Sequence, residues 1–112
     1  MSVSFSGFNE NTATFKVSSA ITAGKPVKIS ANNTVAACSD ADAFCGFVVS
    51  SDSKYASVQL GGVVTAPYTG TAPTVGYGIL VSDGTGVKSA ETGKEYLILS
   101  VDSTAATVTF LM

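Results

Sequence analysis

The chain contains no histidine, no tryptophan and no arginine. Each absence removes a class of chemistry. Without the side chain whose ordinary pKa lies nearest neutrality, one subunit cannot assemble a Ser/His/Asp or Cys/His nucleophile system, and histidine zinc ligands are lost too. Without the planar guanidinium there is no bidentate grip on carboxylate or phosphate. Charge of either sign is scarce: six Lys stand against eight Asp and Glu, charged residues make up 12%, and the formal net charge is −2. A nucleic-acid surface needs clustered positive charge, yet the only consecutive charged pair is Lys94-Glu95. No nucleic-acid partner is expected.

Long apolar runs are missing as well. No stretch approaches the roughly 20 apolar residues of a membrane span. Met1 to Ser6 has neither the basic start nor the apolar run of a secretory leader, so no membrane association and an intracellular product are expected. The mean hydropathy of +0.38 comes from scattered Val and Ala. Its other source is the shortage of charge.

What remains is a short chain of small and β-branched residues. The 112 positions hold 15 Ser, 13 Thr, 14 Val, 14 Ala and 11 Gly, enough for one modest core. A surface this thinly charged, with a pI near 4.7 and little net charge, points to partners that cover part of it.

Two cysteines, Cys38 and Cys45, are separated by Ser39-Asp40-Ala41-Asp42-Ala43-Phe44. They cannot complete a structural zinc site. Beside Phe44, Gly46 and Phe47 they read as small buried thiols, with a disulfide closing a short loop as the second reading. Asp40 and Asp42 form a D-x-D pair without the central Gly and terminal Glu of a calcium loop, so they read as a solvated turn and no metal is expected. Asn32-Asn33-Thr34 matches a glycosylation sequon but reads as a turn. Gly76-Tyr77-Gly78 fits close strand packing better than a phosphate loop. Glu91 and Glu95 flank Gly93 in what reads as a hairpin connection, a water-exposed setting that argues against catalysis from them. No Lys lies in a long apolar run, and Tyr55, Tyr68, Tyr77 and Tyr96 read as partly buried rings with wet hydroxyls. No enzyme and no cofactor are expected.

The periodicity is two almost throughout. Ala13, Phe15 and Val17 share one face; Val27 and Ile29 alternate with Lys28 and Ser30; Val58 and Leu60 lead to Gly61-Gly62, where a bulge or close backbone approach is expected. Leu97, Leu99 and Val101 oppose Tyr96, Ile98 and Ser100, and Val108, Phe110 and Met112 oppose Thr107, Thr109 and Leu111. Turn signals recur at Ala23 to Pro26, Asn32-Asn33, Ser82 to Gly86, Thr92 to Lys94 and Asp102 to Ala106. Asp83-Gly84 is the strongest hairpin signal. Thr65 to Pro73, with two prolines, reads as an extended exposed loop, and no internal repeat of solenoid length is present. The expected fold is all-β, a single small barrel or sandwich of mostly antiparallel strands with little or no helix beyond short turns near Ser19 to Ala23 or Ser39 to Ala43. Residues 1–23 read as an N-terminal strand or extended arm, and 24–112 as one barrel unit. Val3, Phe5 and Phe8 suit either the first barrel strand or an arm that adds to a neighbouring subunit's sheet edge.

From Gly24 onward the order of features resembles the small capsid decoration, or cement, proteins of tailed bacteriophages. The resemblance rests on Gly24-Lys25-Pro26-Val27, Phe44-Cys45-Gly46-Phe47, Val58-Gln59-Leu60-Gly61-Gly62-Val63-Val64, Val75-Gly76-Tyr77-Gly78 and the strands from Tyr96 to Leu111. It implies a structural virion protein, made in the host bacterial cytoplasm, that sits on the capsid exterior. It further implies a homotrimer that bridges copies of the major capsid protein against internal pressure. Residues before Gly24 carry no matched motif. The alternative class is a head-fibre or tail-associated module that binds a receptor or glycan, for which Tyr68 beside the Pro67 to Pro73 segment is the candidate contact. A head-completion or tail-tube subunit is a related structural reading.

Overall fold

The computed structural model describes residues 11–112; Val3, Phe5 and Phe8 lie outside the described residues. Ten strands run through them: β1 (Asn11–Lys16), β2 (Pro26–Ala31), β3 (Thr34–Ala37), β4 (Gly46–Ser51), β5 (Tyr55–Gly61), β6 (Val63–Thr69), β7 (Gly76–Ser82), β8 (Val87–Ser89), β9 (Glu95–Asp102) and β10 (Thr107–Leu111). The described residues contain no helix, so none is long and apolar enough to cross a membrane. The all-β barrel reading holds, and the strands divide between two closed sheets, β1-β3-β2-β4-β5 and β6-β8-β7-β9-β10.

The two sheets share one topology. In each, the first and third strands pair in parallel, the second and third form a hairpin, the fourth pairs with the second, and the fifth closes on the fourth and the first. Local details repeat with it. The β4/β5 register skips Val49, and the β9/β10 register skips Leu99. Both hairpins turn on an aspartate whose Oδ1 accepts two backbone N–H groups ahead of it: Asp52 from Lys54 and Tyr55, both at 2.8 Å, and Asp102 from Thr104 at 3.0 Å and Ala105 at 3.1 Å. Such Asx turns release the backbone from the ladder at a fixed place. Val17 N–H donates to Lys54 O at 2.9 Å, as Tyr68 N–H does to Ala106 O at 3.0 Å.

The bulges explain where simple alternation fails. Tyr96 and Ile98 are buried, but past the skipped Leu99 the phase reverses and Val101 is the residue packed against the core. Leu60, skipped between Gln59 and Gly61 in the β1/β5 register, is 38% exposed while Val58 is fully buried. A bulge lets two residues oppose one, and the side-chain faces exchange beyond it. The turns at Asn32-Asn33 and Asp83-Gly84 close the β2/β3 and β7/β8 hairpins, with positive φ at Asn33 and Gly84. Thr92 to Lys94 is not a hairpin: Ala90 N–H donates to Ile79 O at 3.2 Å, and Leu80 N–H donates to Lys94 O at 3.4 Å. Neighbouring strand residues turn their backbone groups to opposite edges, so the segment crosses from one side of β7 to the other, with Gly93 above Ile79 and Val81.

Thr65 to Thr69 belongs to β6 and not to a loop. The Tyr68 N–H faces β10, so the nitrogen of Pro67 faces the other edge, where β8 first pairs at Tyr68. A proline is tolerated there because no ladder bond is lost.

The cores differ. The first barrel packs Val17, Val27, Val35, Val48, Ala56 and Val58 around small volumes. The larger cluster joins Val64, Ala66, Tyr68, Leu80, Val87, Tyr96, Ile98, Val108 and Phe110 of the second barrel to Cys38, Phe44 and Phe47 of the first half. Phe44 lies 5.0 Å from Phe47, 5.1 Å from Tyr96 and 6.1 Å from Phe110 by ring centroids. A residue from the β3–β4 crossover thus completes the core of the other barrel.

Candidate functional site

The crossover Ser39 to Ala43 carries both aspartates of the D-x-D pair; Asp40 reaches the second barrel through its side chain, and Asp42 through its backbone carbonyl while its carboxylate stays in the first half. Asp42 Oδ2 accepts from Lys28 Nζ at 2.7 Å and from the Ser39 N–H at 2.8 Å. The Lys28 hydrogen bond, then the Ser39 amide, holds the Asp42 carboxyl below its ordinary range, and the same contact raises Lys28. Asp40 pairs with Lys88 of the second barrel at 2.8 Å. Between them Ala41 N–H donates to Ser82 O at 2.8 Å and Ser82 N–H donates to Asp42 O at 2.9 Å. The positive φ of Ala41, 68°, lets the loop turn its backbone onto β7. Among the described residues no cluster of three His, Cys, Asp or Glu side chains stands ready for a metal.

The two thiols are free. Cys38 N–H donates to Pro26 O and Cys45 N–H to Val27 O, so the cysteines flank β2 on opposite edges. Two interstrand spacings of about 4.8 Å separate them by roughly 10 Å, beyond the Cα reach of a disulfide. Burial pushes the Cys38 thiol up to about 11, with nearby Asp42 adding to the rise, and burial also raises Cys45. Neither thiol is set up as a nucleophile, since reactivity follows the thiolate.

Glu91 and Glu95 are exposed. Ser82 is the one buried polar residue of the described core, and its Oγ accepts the Gly84 N–H at 2.9 Å. Asp83 is a turn-former: burial works to raise its pKa, but the Gly86 and Thr85 amides and the Thr69 hydroxyl outweigh it, and the net shift is downward. Among the described residues nothing pairs a general acid with a base in a closed pocket. The hollows lined by Phe15 and Ile29 to Asn33, by Ser50 to Tyr55, and by Thr69 to Thr71 with Lys88 to Glu91 are open to solvent.

Tyr68 is buried at 9% exposure inside the second barrel, not on an exposed loop. The tyrosines that do face solvent are Tyr77, 76% exposed, and Tyr55, 50% exposed. They stand with Val75 at 62%, Ile29 at 54% and Val49 at 52% as large apolar groups on the outside. Sequence alternation missed Tyr77 because Gly76 and Gly78 on either side hide the face to which it belongs. Close packing at Gly78 is confirmed: a Cβ there would lie 3.0 Å from Ile98 Cδ1.

No model of a known protein family matches the chain, and no curated protein matches it.

Proposed function

We propose that this chain is a structural subunit that binds the outer surface of a tailed-phage capsid and stabilises the shell by bridging major capsid proteins, as a homotrimer. The observation that carries the reading is the surface. Tyr77, Val75, Ile29, Val49 and Tyr55 project apolar area from strands and strand ends, in a chain with six basic and eight acidic side chains. Apolar groups on a rigid scaffold, with few charges to desolvate, suit repeated docking to a regular lattice. Many copies acting together allow each contact to be weak. The motifs that carry the resemblance to decoration proteins fall in and beside β2, β4, β5, β6, β7 and the last two strands, and Ile29, Val49, Tyr55 and Tyr77 project from β2, β4, β5 and β7. Purified protein is expected to co-sediment with undecorated heads at a fixed stoichiometry and to raise their resistance to heat. Absence from the pelleted heads overturns the reading.

A second reading, a receptor- or glycan-binding module of a head fibre or tail, is favoured by the exposure of Tyr77, since an open aromatic face suits stacking on a sugar. Glycan-array binding that disappears in Tyr77→Ala selects it over the capsid role.

A further inference from the structure

The topological repeat lets each position in one barrel be compared with its counterpart. Val27, Lys28 and Ile29 of β2 face Ala37, Ala36 and Val35, as Leu80, Val81 and Ser82 of β7 face Ser89, Lys88 and Val87. Ile29 and Ser82 are therefore the same place in the two barrels. Ser82 is fully buried, whereas Ile29 is 54% exposed. One loop makes the difference. β9 pairs with β7 only as far as Ile79, and beyond it the Ser39 to Ala43 crossover takes the edge through both backbone groups of Ser82. In the first barrel β4 pairs with β2 only at Pro26 and Val27. Val27 turns its carbonyl to that edge, toward Cys45, and by the period of two Ile29 turns its N–H and C=O the same way. No strand of the described residues lies there; Phe15, Ile29, Asn32 and Asn33 instead border an open hollow.

The loop that fills the second barrel's edge is the crossover of the first barrel. Its counterpart is Ala90 to Lys94, of which Glu91 to Lys94 are exposed. Among the described residues, the junction inside one chain thus uses one loop and one edge, and it leaves the other edge unpaired and the other loop undocked on the other barrel. We propose that these join between copies: the Ala90–Lys94 crossover of one molecule lies on the Ile29–Asn33 edge of the next. Copies then associate head to tail through the kind of contact that joins the two barrels within a chain. The charges agree with this. The inner junction carries the Asp40–Lys88 ion pair, while the register position of Lys88 is held in the first barrel by Ala36. Cys38 and Ala90 make matching bonds to Pro26 O and Ile79 O, and counting two residues on from each places Thr92 at the position of Asp40. Both ends of the pair are neutral together, so neither is left uncompensated. The inner junction also seats the Phe44 ring, and Ala90 to Lys94 has no aromatic residue. The contact between copies is the weaker one, and it forms and dissolves with concentration. Head-to-tail contacts close into rings when the rotation allows; a ring of three rests on the trimer reading, while the contact itself does not.

The test mixes two single variants, Ile29→Cys and Thr92→Cys, under a mild thiol oxidant, with the native chain, whose Cys38 is buried and Cys45 half-buried, as the control. A cross-linked dimer is expected in the mixture and in neither variant alone. Self-linking of Ile29→Cys establishes a face-to-face contact and overturns the proposal, as does a mixture that never links. In sedimentation the native chain is expected to associate as concentration rises. Ile29→Lys should need at least about tenfold more protein for the same association, since a lysine head loses solvation on a covered edge, and Ser53→Lys, on an exposed turn, should behave as native. A native chain that stays monomeric at about millimolar concentration, or an Ile29→Lys variant that associates as native, overturns the inference. Binding to heads is a separate readout: association without head binding removes the capsid reading alone, and head binding by a chain that never self-links removes this one alone.

Discussion

The ring of Phe44 lies nearly parallel to that of Tyr96, with centroids 5.1 Å apart and planes 12° from one another. The two residues belong to different barrels, and Phe110 meets both rings edge-on or tilted, at 5.4 Å from Tyr96. Aromatic pairs in such geometry add to the burial they bring. Phe44→Ala is expected to cost about 3–5 kcal/mol, the range for emptying a buried aromatic site. Phe44→Leu should cost clearly less. Urea unfolding followed by circular dichroism measures both, and an alanine variant within about 1 kcal/mol of native would show that the barrels are held elsewhere.

Phe44 also marks where the sequence stops being readable. Alternation located the inward residues Phe15, Val17, Val27, Val58, Val108 and Phe110, and turn chemistry located Asn32-Asn33, Asp83-Gly84 and the Asp102 to Ala106 connection. These signals are local, because a pleat has a period of two and a tight turn needs residues that tolerate positive φ. The docking of Asp40 to Asp42 on Ser82 joins segments far apart in the chain, and no local pattern announces it. The repeat is equally hidden: it lies in strand order, bulges and Asx turns, while the buried residues differ, valines and one alanine in the first core and a mixture of aliphatic and aromatic side chains in the second. Tyr68 was misplaced because a proline beside it suggested a loop, although that proline sits on an edge with no ladder bond to lose.

Acid is expected to unfold the protein only well below neutrality. Asp42, Asp52 and Asp83 all have carboxyls held below the ordinary value by Lys28 or by backbone N–H groups. A depressed folded pKa contributes stability above the unfolded value of 3.8 and loses it as pH falls through the folded one. With no histidine in the chain, the thermal midpoint should be level from about pH 5 to about pH 7 and fall below about pH 4. Scanning calorimetry across that range checks it. A midpoint that already drops near pH 6 would contradict the assignment.

The alkaline limit has the opposite origin. Burial, with Cys45 and Cys38 nearby, pushes Tyr96 up to about 12 from 10.0, and burial pushes Cys38 up to about 11 from 9.0. A raised folded pKa means that the folded state keeps its proton longer, so this stability is complete below about pH 9 and disappears as pH rises through about 11 to 12. Loss of circular dichroism should coincide with the last rise of tyrosinate absorbance, and thiol labelling of the buried Cys38 should be complete only in that range or in denaturant. Rapid labelling of Cys38 at pH 8 in native protein would contradict its burial.

Two glycines separate close approach from simple flexibility. At Gly46, where β4 passes β5, a Cβ would run into the Gln59 carbonyl oxygen and the Val58 side chain. Both obstacles sit on a paired strand of the first barrel, and the carbonyl belongs to the ladder, so neither yields without moving backbone. At Gly61 the nearest atom is the Asn11 side-chain nitrogen at 3.3 Å, which a small rotation relieves. Gly46→Ala is therefore expected to destabilise by about 1–3 kcal/mol or more, as overpacking does, and Gly61→Ala to remain within about 1 kcal/mol of native. Chemical denaturation of the pair decides the point. Equal effects would mean that β4 and β5 adjust more freely than their paired carbonyl allows, because only a shift of the whole β4/β5 ladder makes room for a methyl group at Gly46.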